Sequence, residues 1–341
     1  MSYPFLEMTL DELRAAMGEL GKKPYRAEQL AHWVYRKGVT DPEAMSNLPS
    51  DSTEGFEILN SRVARRTDSP DGVTKLLLEL ADGEQVESAL IPTRKRATAC
   101  LSTQVGCGMG CAFCATAKDR LRRNMTAGEI LQQVLHLWQA NGKPITHAVF
   151  MGMGEPLANY DATVAAVRAL IDPQRFGLSA RRVTVSTIGL PGKIRRLAKE
   201  GLPVTLAISL HAPNDALRRE LIPAAKSTTI EDIISAAQKF FRSRKREVTL
   251  EYVLIGDVND TKVCAEGLVR IAKRLRCSVN LIRYNPTSSL SYERPSAAAT
   301  EDFAARLRKQ GVNVQIRRSR GLDAEAACGQ LRARTAEERA S

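Results

Sequence analysis

Cys107-Gly-Met-Gly-Cys111-Ala-Phe-Cys114 places three thiols within eight residues. Three thiolates can hold three irons of a cubane 4Fe-4S cluster and leave the fourth iron without a protein ligand, whereas four cysteines close the cage of an electron-transfer cluster. Two blander readings compete. A structural zinc needs four closed ligands, usually as two CxxC or Cys/His pairs, and the other cysteines, Cys100, Cys264, Cys277 and Cys328, supply no second pair. A disulfide framework belongs to small secreted chains, and this chain has 341 residues and seven cysteines, an odd number. The spacing therefore favours an open cluster. Cys264 and Cys277 match no motif and read as small buried residues.

A chain of this length can bury a large domain with an accessory one. Hydrophobic content of 43% and charged content of 26% are ordinary for a globular protein. No apolar run approaches the ~18–20 residues of a membrane span, and the first residues lack the layout of a signal peptide. The expected location is the cytoplasm, where thiols stay reduced. Net charge is +12, which points to a polyanionic partner. The cations cluster at Arg94–Arg96, Arg120/Arg122/Arg123, Arg195-Arg196, Arg242–Arg246 and Arg317–Arg320. For any one cluster a solvated surface is an equal reading; together they favour nucleic acid.

The elements that must position the cysteines follow from capping and periodicity. Residues 1–60 read as a helical unit. Thr9-Leu-Asp-Glu12 is a capping box for a helix to about Leu20, a second helix runs from about Arg26 to Lys37, and Met45–Pro49 turns into a third. Lys22, Lys23, Arg26, Arg36 and Lys37 give this unit a basic face. Residues 61–92 read as a linker built on a hairpin, Val73–Leu80 and Gln85–Ile91, turned by Asp82-Gly83, with Glu87 on its second strand. From about Thr93 strands alternate with helices: Ala97–Ser102, Ile145–Met151, Val183–Thr187, Val204–Ser209, Val248–Leu254, Val279–Arg283 and Val312–Arg317. Capping boxes at Thr126/Glu129 and Thr228/Glu231 open two of the helices. The pattern is α/β, with about six βα units forming a partial TIM-like barrel over residues 93–322. Residues 323–341 form a C-terminal segment whose tail, from Arg332, is polar and loose.

Ligands of such sheets sit at the carboxyl ends of the strands, where the remaining motifs fall. The cysteine loop follows the first barrel strand. Gly152-Met-Gly154-Glu155 follows the second; its glycines permit close backbone approach, and Glu155 can accept from an ammonium. Ser186-Thr187, Ser209-Leu210-His211 and Tyr284-Asn285-Pro286 end later strands. Alone, each is weak, and His211 is more often a satisfied loop histidine. Their recurrence on one face raises them.

The CxxxCxxC spacing with Phe113 before the last cysteine matches the radical S-adenosylmethionine (SAM) superfamily, in which SAM chelates the open iron and yields a 5′-deoxyadenosyl radical. Nearly the whole chain resembles the RlmN/Cfr family of radical SAM RNA methyltransferases. The resemblance runs from Lys22–Leu30 and Trp33-Val-Tyr35, through Arg96–Cys107, Gly152–Leu157, Val183–Thr187, Leu206–Asn214 and Tyr252–Gly256, to Ala326-Ala-Cys328-Gly-Gln-Leu. It implies methylation of carbon 2 of an adenine in the peptidyl-transferase region of 23S rRNA and of the adenine 3′ of some tRNA anticodons. It implies a 4Fe-4S cluster on Cys107, Cys111 and Cys114, and SAM held by Gly154, Glu155, Ser186, Ser209, Leu210, His211 and Asn285. Cys328 would carry a methyl group, lose a hydrogen atom from it and become bonded to the base. Cys100 would then attack the Cys328 sulfur, releasing the product and leaving a transient disulfide. Glu87 would take the carbon 2 proton; its apolar strand neighbours suggest a raised pKa suited to that role. Without the resemblance, a solvent-facing strand glutamate and an unreactive C-terminal cysteine would be the better readings. It also implies a flavodoxin-like electron donor and a monomer.

Two alternatives stand beside this one. A Cfr-type enzyme would methylate carbon 8 of the same rRNA adenine, and the shared motifs do not separate the two. A non-catalytic iron–sulfur RNA-binding protein or redox sensor would have no use for Glu155, Ser186 or Cys328. Ala115–Met125 is bulkier and more basic than the glycine-rich family turn at that place.

Overall fold

The computed structural model describes residues 2–287 and 290–332; the tail from residue 333 on lies outside them. Ten strands form one sheet in which every strand pairs with its neighbours in sequence. They are β1 (Arg62–Asp68), β2 (Thr74–Glu79), β3 (Gln85–Thr93), β4 (Arg96–Cys100), β5 (His147–Phe150), β6 (Val183–Thr187), β7 (Thr205–Ser209), β8 (Val248–Leu254), β9 (Cys277–Arg283) and β10 (Val314–Arg317). The pairings β1–β2, β2–β3 and β3–β4 are antiparallel and all later ones parallel. The parallel part thus has six crossovers and a closing seventh strand, the partial barrel the sequence implied.

The hairpin of β2 and β3 is continuous with the barrel sheet, because β3 pairs with β4 from Ala89↔Cys100 to Thr93↔Arg96. Strand β1 was not foreseen. Its sequence, RVARRTD, is exposed along nearly its whole length and lacks an apolar face. Such a strand holds by pairing at a sheet edge, where its charges discourage further strand addition.

Helices α1 (Leu10–Glu19) and α2 (Arg26–His32) form the N-terminal unit. The Thr9 capping box is present, and α2 continues as a π-turn to Lys37 before Gly38. The expected third helix is only a 3-10 turn, Ser50–Thr53: Pro49 and the Ser-Asp-Ser-Thr run start a turn but have no apolar stripe to extend it. Phe5, Leu13, Met17, Leu30, Val34 and Tyr35 join the same apolar core as the barrel, and Arg175 stacks on Tyr35 at 5.0 Å. The unit is docked on the barrel.

Six helices cover the parallel strands: α3 (Ala127–Asn141), α4 (Tyr160–Ile171), α5 (Pro191–Leu197), α7 (Ile230–Arg244), α8 (Lys262–Ala272) and α9 (Ala297–Lys309), with a short α6 (Asp215–Leu221) in the loop after β7. Helix α3 opens on the foreseen Thr126/Glu129 box. Helix α7 opens one residue later than expected, on Thr229 with Asp232. Thr228 and Glu231 offered the same spacing, and burial of Ile230, Ile233 and Ile234 on one face selects the register. As expected, Cys264 is buried; Cys277 is half-buried.

Candidate active site

The cysteine loop leaves the carboxyl end of β4 and is tied to the end of α6: Ala112 N–H donates to the Leu221 carbonyl (2.9 Å) and Ala224 N–H to that of Met109 (3.2 Å). Its turn needs Gly106, at φ +74°, where a Cβ would lie 2.2 Å from the Arg120 carbonyl oxygen. Cys107, Cys111 and Cys114 line one cleft with Glu155, Ser186, Ser209, His211, Asn285 and Cys328. Leu210 is the exception. Its side chain is buried in the barrel core, and only its backbone is at the strand end.

Glu155 is buried, with Oε1 accepting from Leu157 N–H (3.0 Å) and Oε2 from Ile188 N–H (2.8 Å). Burial nonetheless pushes its carboxyl up to about 7. Gly154 allows the approach: at φ +95° its Cβ would lie 2.6 Å from that of Gln104, whose Oε1 accepts from Glu155 N–H. Gly154→Ala therefore combines left-handed strain with a clash and should cost about 2–4 kcal/mol of stability. Urea unfolding would read this, and a loss below about 0.5 kcal/mol would contradict it. His211 is held at φ 57°, its ring edge-on to Phe113 at 4.8 Å. Nδ1 accepts from Val253 N–H at 3.0 Å, so in the neutral ring Nε2 carries the proton. Burial, then the charge of Arg218, push His211 down to about 3.

Burial raises all three thiols, Cys107 up to about 11 and Cys111 well above its ordinary value; neighbouring thiols add to this, Cys114 for Cys107, both others for Cys111, and Cys328 for Cys114. Beside Cys111 lies a cation the sequence did not announce. Arg218 of α6 is 1% exposed, and its Nε and Nη1 have no hydrogen-bond partner among the described residues; Nη2 donates to the Ile188 carbonyl. A buried guanidinium without an anion is costly, and three thiolates on a cluster would supply one. Among the described residues no three His, Cys, Asp or Glu side chains converge on a single ion, as a cubane, which takes each thiolate on a different iron, does not require. The donor set fits a cluster.

Cys328 reaches this cleft because its segment is pinned to the cysteine loop. Ala115 N–H donates to the Gly329 carbonyl (2.8 Å), Thr116 Oγ1 to that of Leu331 (2.5 Å), and Asn285 Nδ2 to that of Cys328 itself (3.0 Å). Cys100 lies in an adjoining cavity with Cys328, Met151 and Arg317. Burial, then the nearby Cys328, push its thiol up to about 12. Glu87 is not in either space. It lines a third cavity with Arg65, Lys75 and Arg332, where Oε1 is 3.1 Å from Lys75 Nζ and Oε2 accepts from Arg332 N–H (2.8 Å). Its surroundings are thus polar rather than apolar, because strand alternation does not reveal which cation faces it across β2.

A family model described as the radical SAM superfamily matches residues 101–265. Another, the ribosomal RNA large subunit methyltransferase N-terminal domain, matches residues 4–54. The chain is 43% identical to a probable dual-specificity RNA methyltransferase RlmN of Rhodopirellula baltica, over 98% of this chain and 92% of that one. A protein of the same description from Thermosynechococcus vestitus is 44% identical over 94% and 96%. The chain belongs to the RlmN family of radical SAM methyltransferases. A crystal structure of a radical SAM methyltransferase from Sphaerobacter thermophilus superposes with a TM-score of 0.93 at 42% identity, covering 97% of this chain and all of that one. The cofactors of this enzyme are a 4Fe-4S cluster and SAM.

The basic clusters divide differently from expectation. Arg122 pairs with Glu84 (2.7 Å), and Arg123 with Asp82 (2.6 Å) and Glu129 (2.8 Å), so much of that run is neutralised within the protein. In the N-terminal unit Lys22 and Arg36 donate to backbone carbonyls and Arg26 to Gln29, and Lys23, Arg36 and Lys37 are exposed. Arg242–Arg246 precedes β8 and so lies at the end of the barrel opposite the cleft. Arg317–Arg320 follows β10, on the cleft side. No helix among the described residues is long and apolar enough to cross a membrane.

Proposed function

We propose that this enzyme methylates carbon 2 of adenine 2503 in 23S rRNA and of adenine 37 in tRNAs, with Cys328 as the methyl carrier. The observation that carries the reading is the convergence of Cys328 and the three loop cysteines on one cleft, with Cys100 in the next. Cys107, Cys111 and Cys114 hold the cluster; Gly154, Glu155, Ser186, Ser209, His211 and Asn285 hold SAM, Leu210 through its backbone. When bound, these groups supply the methyl group placed on Cys328 and the radical that removes a hydrogen atom from it. The protein's own residues do the rest. Asn285 fixes the carbonyl of Cys328, and so the path of its sulfur. Glu155 in its ionised form would accept from the SAM amino group. Glu87, held by Lys75, is the acceptor for the carbon 2 proton, and the one electron released with it would return to the cluster when that is bound; the adenine must leave its stack to reach Glu87, and residues 323–332 separate the two spaces. Cys100 then attacks the Cys328 sulfur: an S–S bond forms, the bond from sulfur to the methylene carbon breaks, and its electron pair stays with carbon, which takes a proton to become methyl. An external thiol restores both cysteines.

The helical unit of residues 1–60, with Arg65, Lys75 and Arg332 at the Glu87 cavity, grips the RNA backbone. The enzyme works as a cytoplasmic monomer served by a flavodoxin-like donor.

Nucleoside mass analysis of RNA from cells lacking the protein tests this. Loss of 2-methyladenosine is expected, and its persistence, or loss of 8-methyladenosine instead, would overturn it. The Glu155 assignment has its own test. Because burial raises this carboxyl to about 7 and the carboxylate is the stronger acceptor for the SAM amino group, SAM affinity should rise as pH increases from about 6 to about 8. Glu155→Gln should bind about 10–100-fold more weakly, without that pH dependence. Calorimetry showing a wild-type affinity that falls over this range would contradict the assignment.

A further inference from the structure

Arg317 ends β10 and lines both the cleft and the Cys100 cavity. Its hydrogen-bond contact among the described residues is Nη1 to Met151 Sδ, at 3.8 Å, and a thioether is a poor partner for a cation. No carboxylate among the described residues comes within ion-pair distance; the charges that act on it are Cys328, Glu251 and Cys100, in that order. Glu251, on β8, is buried, with Oε1 accepting from Asn280 Nδ2 (3.0 Å) and Oε2 without a hydrogen-bond partner among the described residues. Burial pushes this carboxyl up, which weakens its claim on Arg317. A guanidinium that stays charged is left facing two thiols.

We propose that Arg317 is a positioning residue for this thiol pair, attracting the Cys328 sulfur while that residue is free and the Cys100 sulfur once Cys328 is bonded to RNA. The proposal rests on the release role of Cys100 given above. Two charges act on Cys100: Cys328, from the C-terminal segment, opposes its ionisation, and Arg317, from β10, favours it. The Met151 backbone also stabilises its thiolate, and Cys114, Arg318 and Arg320 line the same cavity. A Cys328 sulfur bonded to a methylene carbon is neutral, so the repulsion disappears and the cation is no longer shared. Ionisation of Cys100 is therefore easier when an adduct awaits cleavage than before, with Arg317 the charge that favours it against burial. In the release step the Cys100 thiolate supplies the electron pair of the new S–S bond, the methylene carbon leaves with the pair of the broken C–S bond, and a proton completes the methyl group.

Cluster-loaded protein in a single turnover on a 23S rRNA fragment containing the target adenine, quenched into denaturant at intervals, measures the adduct directly. Arg317→Gln should form the adduct but release it about 10–100-fold more slowly near neutral pH, recovering about tenfold per pH unit as the thiol titrates. Arg317→Lys, which keeps a charge, should release within about tenfold of the unaltered protein. If Cys100→Ala holds the adduct while Arg317→Gln releases it at the unaltered rate and with the unaltered pH profile, the role of Arg317 is refuted and that of Cys100 stands. If Cys100→Ala holds no adduct, the release reading fails, and the proposal with it. Should Arg317→Gln not fold, Arg317→Lys decides: its retained charge should keep adduct release within about tenfold of the unaltered rate, and release slowed about 100-fold or more would overturn the proposal.

Discussion

Cys100→Ala is expected to leave the protein bonded to its RNA, with adduct approaching one RNA per cluster-loaded protein and turnover stopping at the first event. The variant keeps Cys328 and the three loop cysteines, and with them every residue assigned to building the adduct. Removing its thiol removes the nucleophile for the C–S bond, and water is a poor substitute at sulfur. The substitution is small and the site is at a strand end, so the fold should lose about 1 kcal/mol or less. Denaturing electrophoresis and intact mass of the RNA-treated protein check this. Free methylated RNA and unmodified protein would contradict the role of Cys100.

Cys111→Ala is expected to abolish the cluster, and with it all methylation, a loss of at least about 10⁴-fold if the radical step has no alternative route. Two thiolates leave a cubane with two open irons, and Arg218 with its unpartnered nitrogens would lose the anion beside it. Iron and sulfide analysis after anaerobic reconstitution, with circular dichroism to show that the sheet is intact, reads the result. Retained iron and unchanged methylation would mean that Cys111 is not a ligand. Arg218→Leu, by contrast, should be tolerated by the cluster-free fold, because it replaces a buried cation, whose only hydrogen bond among the described residues is to the Ile188 carbonyl, with an apolar group.

Much of the site was legible because its chemistry is carried by short motifs at strand ends. The cysteine spacing, Gly154-Glu155, Ser186, Ser209, His211 and Asn285 all fall on the cleft, as strand-end placement requires. Leu210 fell in the core because alternation along β7 sends successive side chains to opposite faces. What could not be read were properties that depend on neighbours distant in sequence. Glu87 pairs with Lys75, two residues off its register partner on the neighbouring β2, and with the backbone of Arg332, some 245 residues away. Arg218 and Arg317 look like ordinary arginines in RREL and QIRR, and only the fold shows that one is buried beside Cys111 and the other faces two thiols. Charge runs misled for the same reason, since Arg122 and Arg123 find carboxylates on the hairpin and on α3. The edge strand β1 was hidden by its lack of any apolar face.

The most direct test of the account follows the hydrogens of the transferred group. Supplied with SAM whose methyl group carries three deuterons, the reconstituted protein should yield 2-methyladenosine retaining two, because a hydrogen atom is removed from the methyl on Cys328 and a solvent proton replaces it on release. A product retaining all three would mean direct methyl transfer, and Cys328 would not be the carrier.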